Sequence, residues 1–445
     1  MAILSRSEAK QILDKVLKYS KAEAASAQLT GAETGNIRYA RNSVSTSGIV
    51  NDIELAVEAR FGKKSGIATI NEFSDAALEK VMRRAEELAK LSPDNPEAMP
   101  LLDEQKYPKV NGFAKSTADI TPDQRAKAAA DSIMAARERK VIAAGYLEDA
   151  RSFAAVANTK GLFGYHVSTS ANFTVTMRTE NGLGSGWAQS DVSDFSAMNT
   201  GAVSNIAIDK AVQSQEARAL EPGKYTVILE PSAVSGLVGF MMWNYDARSA
   251  DEGRSFMSRK GGGNRIGEKM FDKRVHIYSD PADPDVPAMP WAEDDFMALE
   301  RVDWIRDGVV KNLPRSRYWA SQSKEKEKAI PQPNNLIMIG GDKSTAELIK
   351  NTRRGVLVTR TWYIRMVDPQ SLLLTGLTRD GTFYIENGKI KYPIKNFRFN
   401  ESPVIMLNNI EDMGRAKRVG MWGYSAMIPA LKVRDFTFSS LSDAV

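Results

Sequence analysis

The side chains able to ligate a metal, attack a carbonyl or shuttle a proton at neutral pH are scarce in this chain. Its 445 residues include two histidines and no cysteine, so disulfides, thiolate nucleophiles and thiolate metal sites are excluded. His166 lies in a strand-like segment and His276 in Arg274-Val275-His276-Ile277-Tyr278, in different halves of the chain. Neither has carboxylates at helical spacing around it, so a metal site built on them lacks a donor set. Each imidazole is read as exposed or satisfied by a backbone partner. A Ser-His-Asp triad is disfavoured too, because no Gly-x-Ser-x-Gly elbow accompanies either histidine.

Two glycine clusters, Gly261-Gly262-Gly263 and Gly182-x-Gly184-x-Gly186, suggest phosphate cradles but lack the strand-loop-helix fingerprint with a following Lys-Ser/Thr. Turn chemistry is the simpler account. Asp280, Asp283, Asp285, Glu293, Asp294 and Asp295 form the one acidic cluster. Oxygen ligands for a hard cation are present, but the proline-rich context without EF-hand spacing favours a solvated loop.

These residues must be held by a frame, and composition says a large one. A hydrophobic content of 42% at this length allows a sizeable core and two or three domains. The net charge of +5 is a mild excess. The densest basic stretch, 324–328, alternates Lys with Glu and reads as a solvated face. Aromatic interleaving is missing, so nucleic-acid binding is not expected. The first eighteen residues read as a capped amphipathic helix, with Ser5-x-x-Glu8 before Ile12, Leu13, Val16 and Leu17, and not as a signal peptide or membrane span. A cytoplasmic location is therefore expected.

Alternation of Ile53, Leu55, Val57, Ala59 and Phe61 predicts a strand over 52–61, followed by a turn at 62–66 and a strand over 67–70. Leu78, Val81, Met82, Ala85 and Leu88 place a helix over 75–91 with Ser74 as cap. The stretch 92–111 reads as a surface connection. Thr121, Pro122 and Gln124 then open a third helix running toward Lys140. Four short strand segments, 141–149, 152–158, 162–168 and 172–179, suggest an antiparallel meander. Helices and strands are segregated, which favours an α+β fold of two domains with antiparallel sheets. The boundary is placed at Glu221-Pro222-Gly223, giving 1–220 and 221–445. The second part is expected to open with a strand over 224–230 and a largely buried helix over 232–250. Asn387-Gly388 marks a hairpin.

The order of these segments resembles the TldD/PmbA metallopeptidase family from about Asn36 to Phe438. In the first part, Ile37-Arg38-Tyr39-Ala40-Arg41-Asn42, Glu54-Leu55-Ala56-Val57 and Lys64-Ser65-Gly66-Ile67-Ala68 look like the family's paired strands before an Ala-rich helix. In the second, Asp294 to Gly308 looks like its acidic turn. Pro333-Asn334-Asn335-Leu336, Gly341-Asp342-Lys343-Ser344-Thr345 and Arg354-Gly355-Val356-Leu357-Val358-Thr359 are more similar to the PmbA (TldE) branch than to TldD. The hairpin from Gly381 to Gly388 and Gly414 also fit.

The resemblance implies a chemistry and its loss. TldD-type members carry His-Glu-x-x-x-His on the helix after the first strand of the second domain, completed by a C-terminal cysteine, which suits a zinc-activated water. An ungapped count places Leu237, Val238 and Met242 at those positions, and Met421-Trp422-Gly423-Tyr424 offers no cysteine. No catalytic residue, metal or cofactor is therefore expected, and the three apolar side chains are expected to be core. The resemblance further implies a non-catalytic subunit, inactive alone, paired with a TldD-type subunit in a protease acting on peptides or unfolded small proteins. A homodimeric peptide-binding protein is the alternative, and family naming adds modulation of DNA gyrase as a third possibility.

Overall fold

The computed structural model describes residues 3–323, 327–332, 334–421 and 423–442; Pro333, Trp422 and the start of the basic stretch, 324–326, lie outside them. The first half comprises α1 (Arg6–Lys18), β1 (Ala24–Ala40), β2 (Ser43–Phe61), β3 (Lys64–Ile70), α2 (Asp75–Leu91), α3 (Lys115–Ala118), α4 (Pro122–Glu138), β4 (Val141–Asn158), β5 (Phe163–Thr179), β6 (Ser185–Val192) and α5 (Thr200–Gln213). Its six strands form one antiparallel sheet in the order β3-β2-β1-β4-β5-β6.

The caps of the first three long helices fall where sequence puts them. Ser5 and Glu8, and Thr121 and Gln124, exchange reciprocal capping bonds, and the Ser74 hydroxyl accepts from the Ala77 amide. The four predicted segments between 141 and 179 are instead two long strands, β4 and β5. The break expected between 158 and 162 is a turn, at Thr159-Lys160-Gly161, but the other two interruptions are not backbone breaks. They mark where each strand passes from one helix pair to the next. Phe153, Ala155 and Ala157 of β4 pack under α1 and α2, whereas Val141, Ala143 and Leu147 pack under α4 and α5. Between the two cores a buried Arg125–Asp149 pair crosses the sheet face, with Nε to Oδ1 at 2.6 Å and Nη2 to Oδ2 at 2.7 Å. Polar residues at a seam between cores imitate the signature of a loop.

Gly184 and Gly186 also differ from expectation. Only Gly182 has a positive φ of 72°. A Cβ on Gly184 or Gly186 would come within 2.2 Å of the Ala211 carbonyl or 2.1 Å of the Ala207 carbonyl, so these two glycines let α5 lie directly on β6. All three of Gly261, Gly262 and Gly263 have positive φ, as turn chemistry requires.

The second half contains β7 (Gly223–Leu229), α6 (Pro231–Trp243), α7 (Ala247–Asp251), β8 (Ile277–Ser279), β9 (Val302–Arg306), β10 (Val309–Val310), α8 (Arg317–Gln322), β11 (Leu336–Met338) and α9 (Thr345–Lys350). It continues through β12 (Arg354–Asp368), β13 (Leu373–Glu386), β14 (Lys389–Pro393), β15 (Asn396–Glu401), α10 (Pro403–Asn408), β16 (Ile410–Met421) and β17 (Tyr424–Ser442). Strands β7, β12, β13, β15 and β17 are hydrogen-bonded in a closed ring, since β17 also pairs with β7. Most pairings are antiparallel; β7 with β12 and β11 with β17 are parallel. Closure removes sheet edges and encloses a core rich in Phe397, Phe399, Phe436 and Phe438. Asn387 and Gly388, both at positive φ, form the predicted hairpin between β13 and β14.

The helix expected over 232–250 is two helices. Asn244 ends α6, and the Asp246 side chain caps α7 by accepting from the Ser249 amide. Among the described residues no helix is long and apolar enough to cross a membrane.

Candidate functional site

Helix α6 begins with Pro231 at its first turn, where the missing amide costs nothing, and has two unlike faces. Ala233, Val234, Leu237, Val238, Met241 and Met242 are buried in the main core. Ser232, Ser235, Gly236, Phe240 and Trp243 border a cleft of about 560 Å³. Leu237, Val238 and Met242 thus sit together in the core, on the face turned away from the cleft. Trp243, expected to be largely buried with its helix, is 72% exposed.

The opposite wall is β12. Its register with β13 slips between Val358 and Arg360 and again between Trp362 and Arg365, so the strand bulges as it passes α6. At the second bulge Tyr363 adopts φ 52°, a left-handed conformation bulky residues rarely take. Gly236 permits the close approach of helix and strand: a Cβ there would lie 2.5 Å from the Thr361 hydroxyl.

The floor is an alternating stack of cations and rings. The Arg360 guanidinium lies 4.7 Å from the centre of the Trp187 ring and 5.2 Å from that of Trp362, and the Arg379 guanidinium lies 5.1 Å from that of Trp362. Arg360 Nε donates to the Asp380 carboxylate at 2.7 Å, and Ser185 donates to the other Asp380 oxygen at 2.5 Å. Burial pulls the pKa of Arg360 below its ordinary value while Asp380 opposes that shift; a guanidinium so paired stays charged.

Trp187 and Gln189 belong to β6, so the cleft lies where the two halves meet. Gln189 Nε2 donates to the Ser232 hydroxyl at 3.1 Å. Arg418 of β16 fastens the joint: Nε donates to Asp191 Oδ1 at 2.5 Å, and Nη1 to the Ser193 hydroxyl and the Asp285 carbonyl, both at 2.7 Å.

Among the described residues lining the cleft, none is histidine, cysteine, aspartate or glutamate. The donor set does not fit zinc, which needs imidazole, thiolate or carboxylate ligands. Among the described residues no group of three or more His, Cys, Asp or Glu side chains stands ready to hold a metal ion. His166 is buried edge-on to Trp291, and burial pushes its pKa down to about 4. His276 lies 3.3 Å from an Asp303 oxygen. Neither borders the cleft. The acidic loop is dispersed among local partners: Tyr278 donates to Asp283, the Ala282 amide to Asp280, and Arg317 faces Asp295. What the cleft offers is aromatic surface, a few hydroxyls and positive charge.

Arg360, Asp380 and Arg365 belong to none of the motifs read in the sequence. A usable signal existed in Arg360-Thr361-Trp362-Tyr363-Ile364-Arg365, where large aromatics flanked by arginines break the alternation of an otherwise apolar strand.

With this geometry in hand, kinship follows from comparison. The sequence pattern of the PmbA/TldA metallopeptidase C-terminal domain matches residues 222–440, and that of the central domain residues 115–215. The chain belongs to the TldD/PmbA family. A protein described as a metalloprotease, from Methanothermobacter thermautotrophicus, is 23% identical over 226 residues, a match spanning 48% of each chain. The chain thus covers about half the length of that relative. The crystal structure of TldE from Thermococcus kodakarensis superposes with a TM-score of 0.85 at 15% identity, covering 97% of this chain and 99% of that one. A protein described as a modulator of DNA gyrase, from Thermotoga maritima, superposes at 0.82 with 17% identity, covering 98% and 100%. At such identities the superpositions speak for the fold alone.

Proposed function

We propose that this protein is a metal-free, non-catalytic TldE-type subunit that binds peptide and acts with a metal-bearing TldD-type subunit in proteolysis of peptides or unfolded small proteins. The observation that carries this reading is α6. The His-Glu-x-x-x-His spacing, applied to the cleft-facing side of the helix, falls on Ser235, Gly236 and Phe240, two residues before the positions reached by ungapped counting. In both registers the ligands and the general base are missing. Gly236 has no room for a glutamate, because its missing Cβ lets Thr361 approach. A cleft kept aromatic, with no His, Cys, Asp or Glu among its described lining residues, suits binding and not hydrolysis. The boundary at 220/221 is retained as a proposed division between the half bearing α6 and the half contributing Trp187.

The purified chain is expected to contain less than one zinc per chain and to leave casein-derived peptides intact. Mixed with a TldD-type protein from the same cell, it is expected to co-elute and to raise peptide cleavage above that of the partner alone. Stoichiometric zinc together with cleavage by the lone chain, both lost in His276→Ala, would overturn the proposal. Failure to associate, with peptide binding retained, would favour the homodimeric peptide-binding protein instead.

A further inference from the structure

One cation of the cleft has no counter-charge. Arg360 is matched by Asp380, but Arg365, on the same strand, has among the described residues no carboxylate partner. Its Nη1 donates to the Ile364 carbonyl at 2.9 Å, and its guanidinium lies 4.2 Å from the centre of the Tyr363 ring. Both Arg365 and Tyr363 are exposed. The bulge between Trp362 and Arg365, with Tyr363 at positive φ, puts this arginine at the edge of a cleft whose described lining residues include no acid. Strained backbone that presents an unmatched charge beside an aromatic wall is a pattern of ligand sites.

We infer that the cleft takes an apolar or aromatic peptide side chain lying next to a carboxylate, with the carboxylate on Arg365 and the side chain against Phe240 and Trp362. The guanidinium fork matches a carboxylate in a two-point hydrogen bond. The cleft volume of about 560 Å³ accommodates a large side chain with its flanking backbone. The carboxylate comes from the chain end of the peptide or from an acidic side chain beside the apolar one. This inference rests on the peptide-binding reading above and adds its anchor.

The test uses a fluorescein-labelled alanine hexapeptide ending in phenylalanine in three forms: free acid, carboxyl-terminal amide, and amide with glutamate before the phenylalanine. Anisotropy titrations with the full chain should show the acid binding about tenfold tighter than the plain amide. Recovery of affinity by the glutamate amide identifies a side-chain source; its absence identifies the chain end. Arg365→Gln, at an exposed position that does not endanger folding, should abolish the difference between acid and amide, and Trp362→Ala should weaken all three peptides alike. Equal binding of all three forms, or a preference for a carboxylate-bearing form that survives Arg365→Gln, overturns the carboxylate anchor while the peptide-binding reading stands. Absence of binding by every form overturns both.

Discussion

The two faces of α6 make opposite predictions for the same chemistry. Leu237 and Val238 are fully buried and Met242 is 4% exposed, so Leu237→His, Val238→Glu and Met242→His places three polar groups in a dry core. Each loses roughly 1–3 kcal/mol through an unmade hydrogen bond, and the apolar packing given up adds to that. About 6 kcal/mol is a moderate sum, comparable with the whole stability of many domains at roughly 5–15 kcal/mol. At about 2–4 °C per kcal/mol for a unit near 200 residues, the melting temperature should fall by about 12–24 °C. Ser232→His with Trp243→His, at cleft-bordering positions that are not buried, should cost below about 2 kcal/mol, because imidazoles bordering open space keep their water. Scanning calorimetry of both variants beside the parent chain measures the contrast, with zinc affinity followed by isothermal titration. A triple variant that melts within about 3 °C of the parent, or a double variant that suffers the larger loss, would show that the faces have been assigned the wrong way round.

Three further outcomes follow from single groups. Gly35→Ala should destabilise the first half by about 3 kcal/mol, since the new Cβ would lie 2.0 Å from Arg125 Nη2 and push the guanidinium off Asp149; chemical denaturation reads this, and a loss under about 0.5 kcal/mol would contradict it. His166, with its folded pKa down at about 4, binds fewer protons folded than unfolded below its ordinary value of about 6.5. Its contribution is therefore present above pH 6.5 and drains away as pH falls toward 4, by about 3 kcal/mol in all. The difference in stability between parent and His166→Asn should accordingly narrow on acidification across that window, and a constant difference would refute it. Removing the clamp by Arg418→Ala leaves the largely buried Asp191 carboxylate with Ser425 and Asn172 but without its cation, so a double-mutant cycle with Asp191→Asn should give a coupling of at least about 1 kcal/mol; additive losses would mean the joint is held elsewhere.

Local signals in the chain were legible wherever one residue type does one job. The caps at Ser5, Ser74 and Thr121 and the Asn387-Gly388 turn are satisfied within a few residues, so no distant partner can override them. The α+β class followed from the segregation of such elements. The long strands β4 and β5 were not legible as single elements, because Asp149 and Arg151 sit at the seam between two helix layers. Polarity there answers Arg125 and Glu33, and those partners are visible only once the sheet is assembled. Periodicity did not show the opening strand β1, of which only the end from Ile37 was read, through the family resemblance; its alanines, glycines and threonines are small enough to alternate without an apolar rhythm.

The site was legible as an absence and hidden as a presence. That α6 carries no histidine can be counted, and the conclusion survives a register error of two residues because every candidate position is equally devoid of ligands. Which side of α6 faces a cleft cannot be counted, since the helix is apolar on nearly all sides and its periodicity points nowhere. The cleft is defined by its other wall, where two irregularities of β12 turn Arg360 inward to Asp380 and leave Arg365 outward. Strand alternation assigns side chains to faces only while the register holds. Each bulge resets that assignment, so the two arginines, five residues apart and alike in sequence, reach opposite electrostatic fates: one neutralised in the floor, the other left to find its counter-charge in whatever the cleft binds.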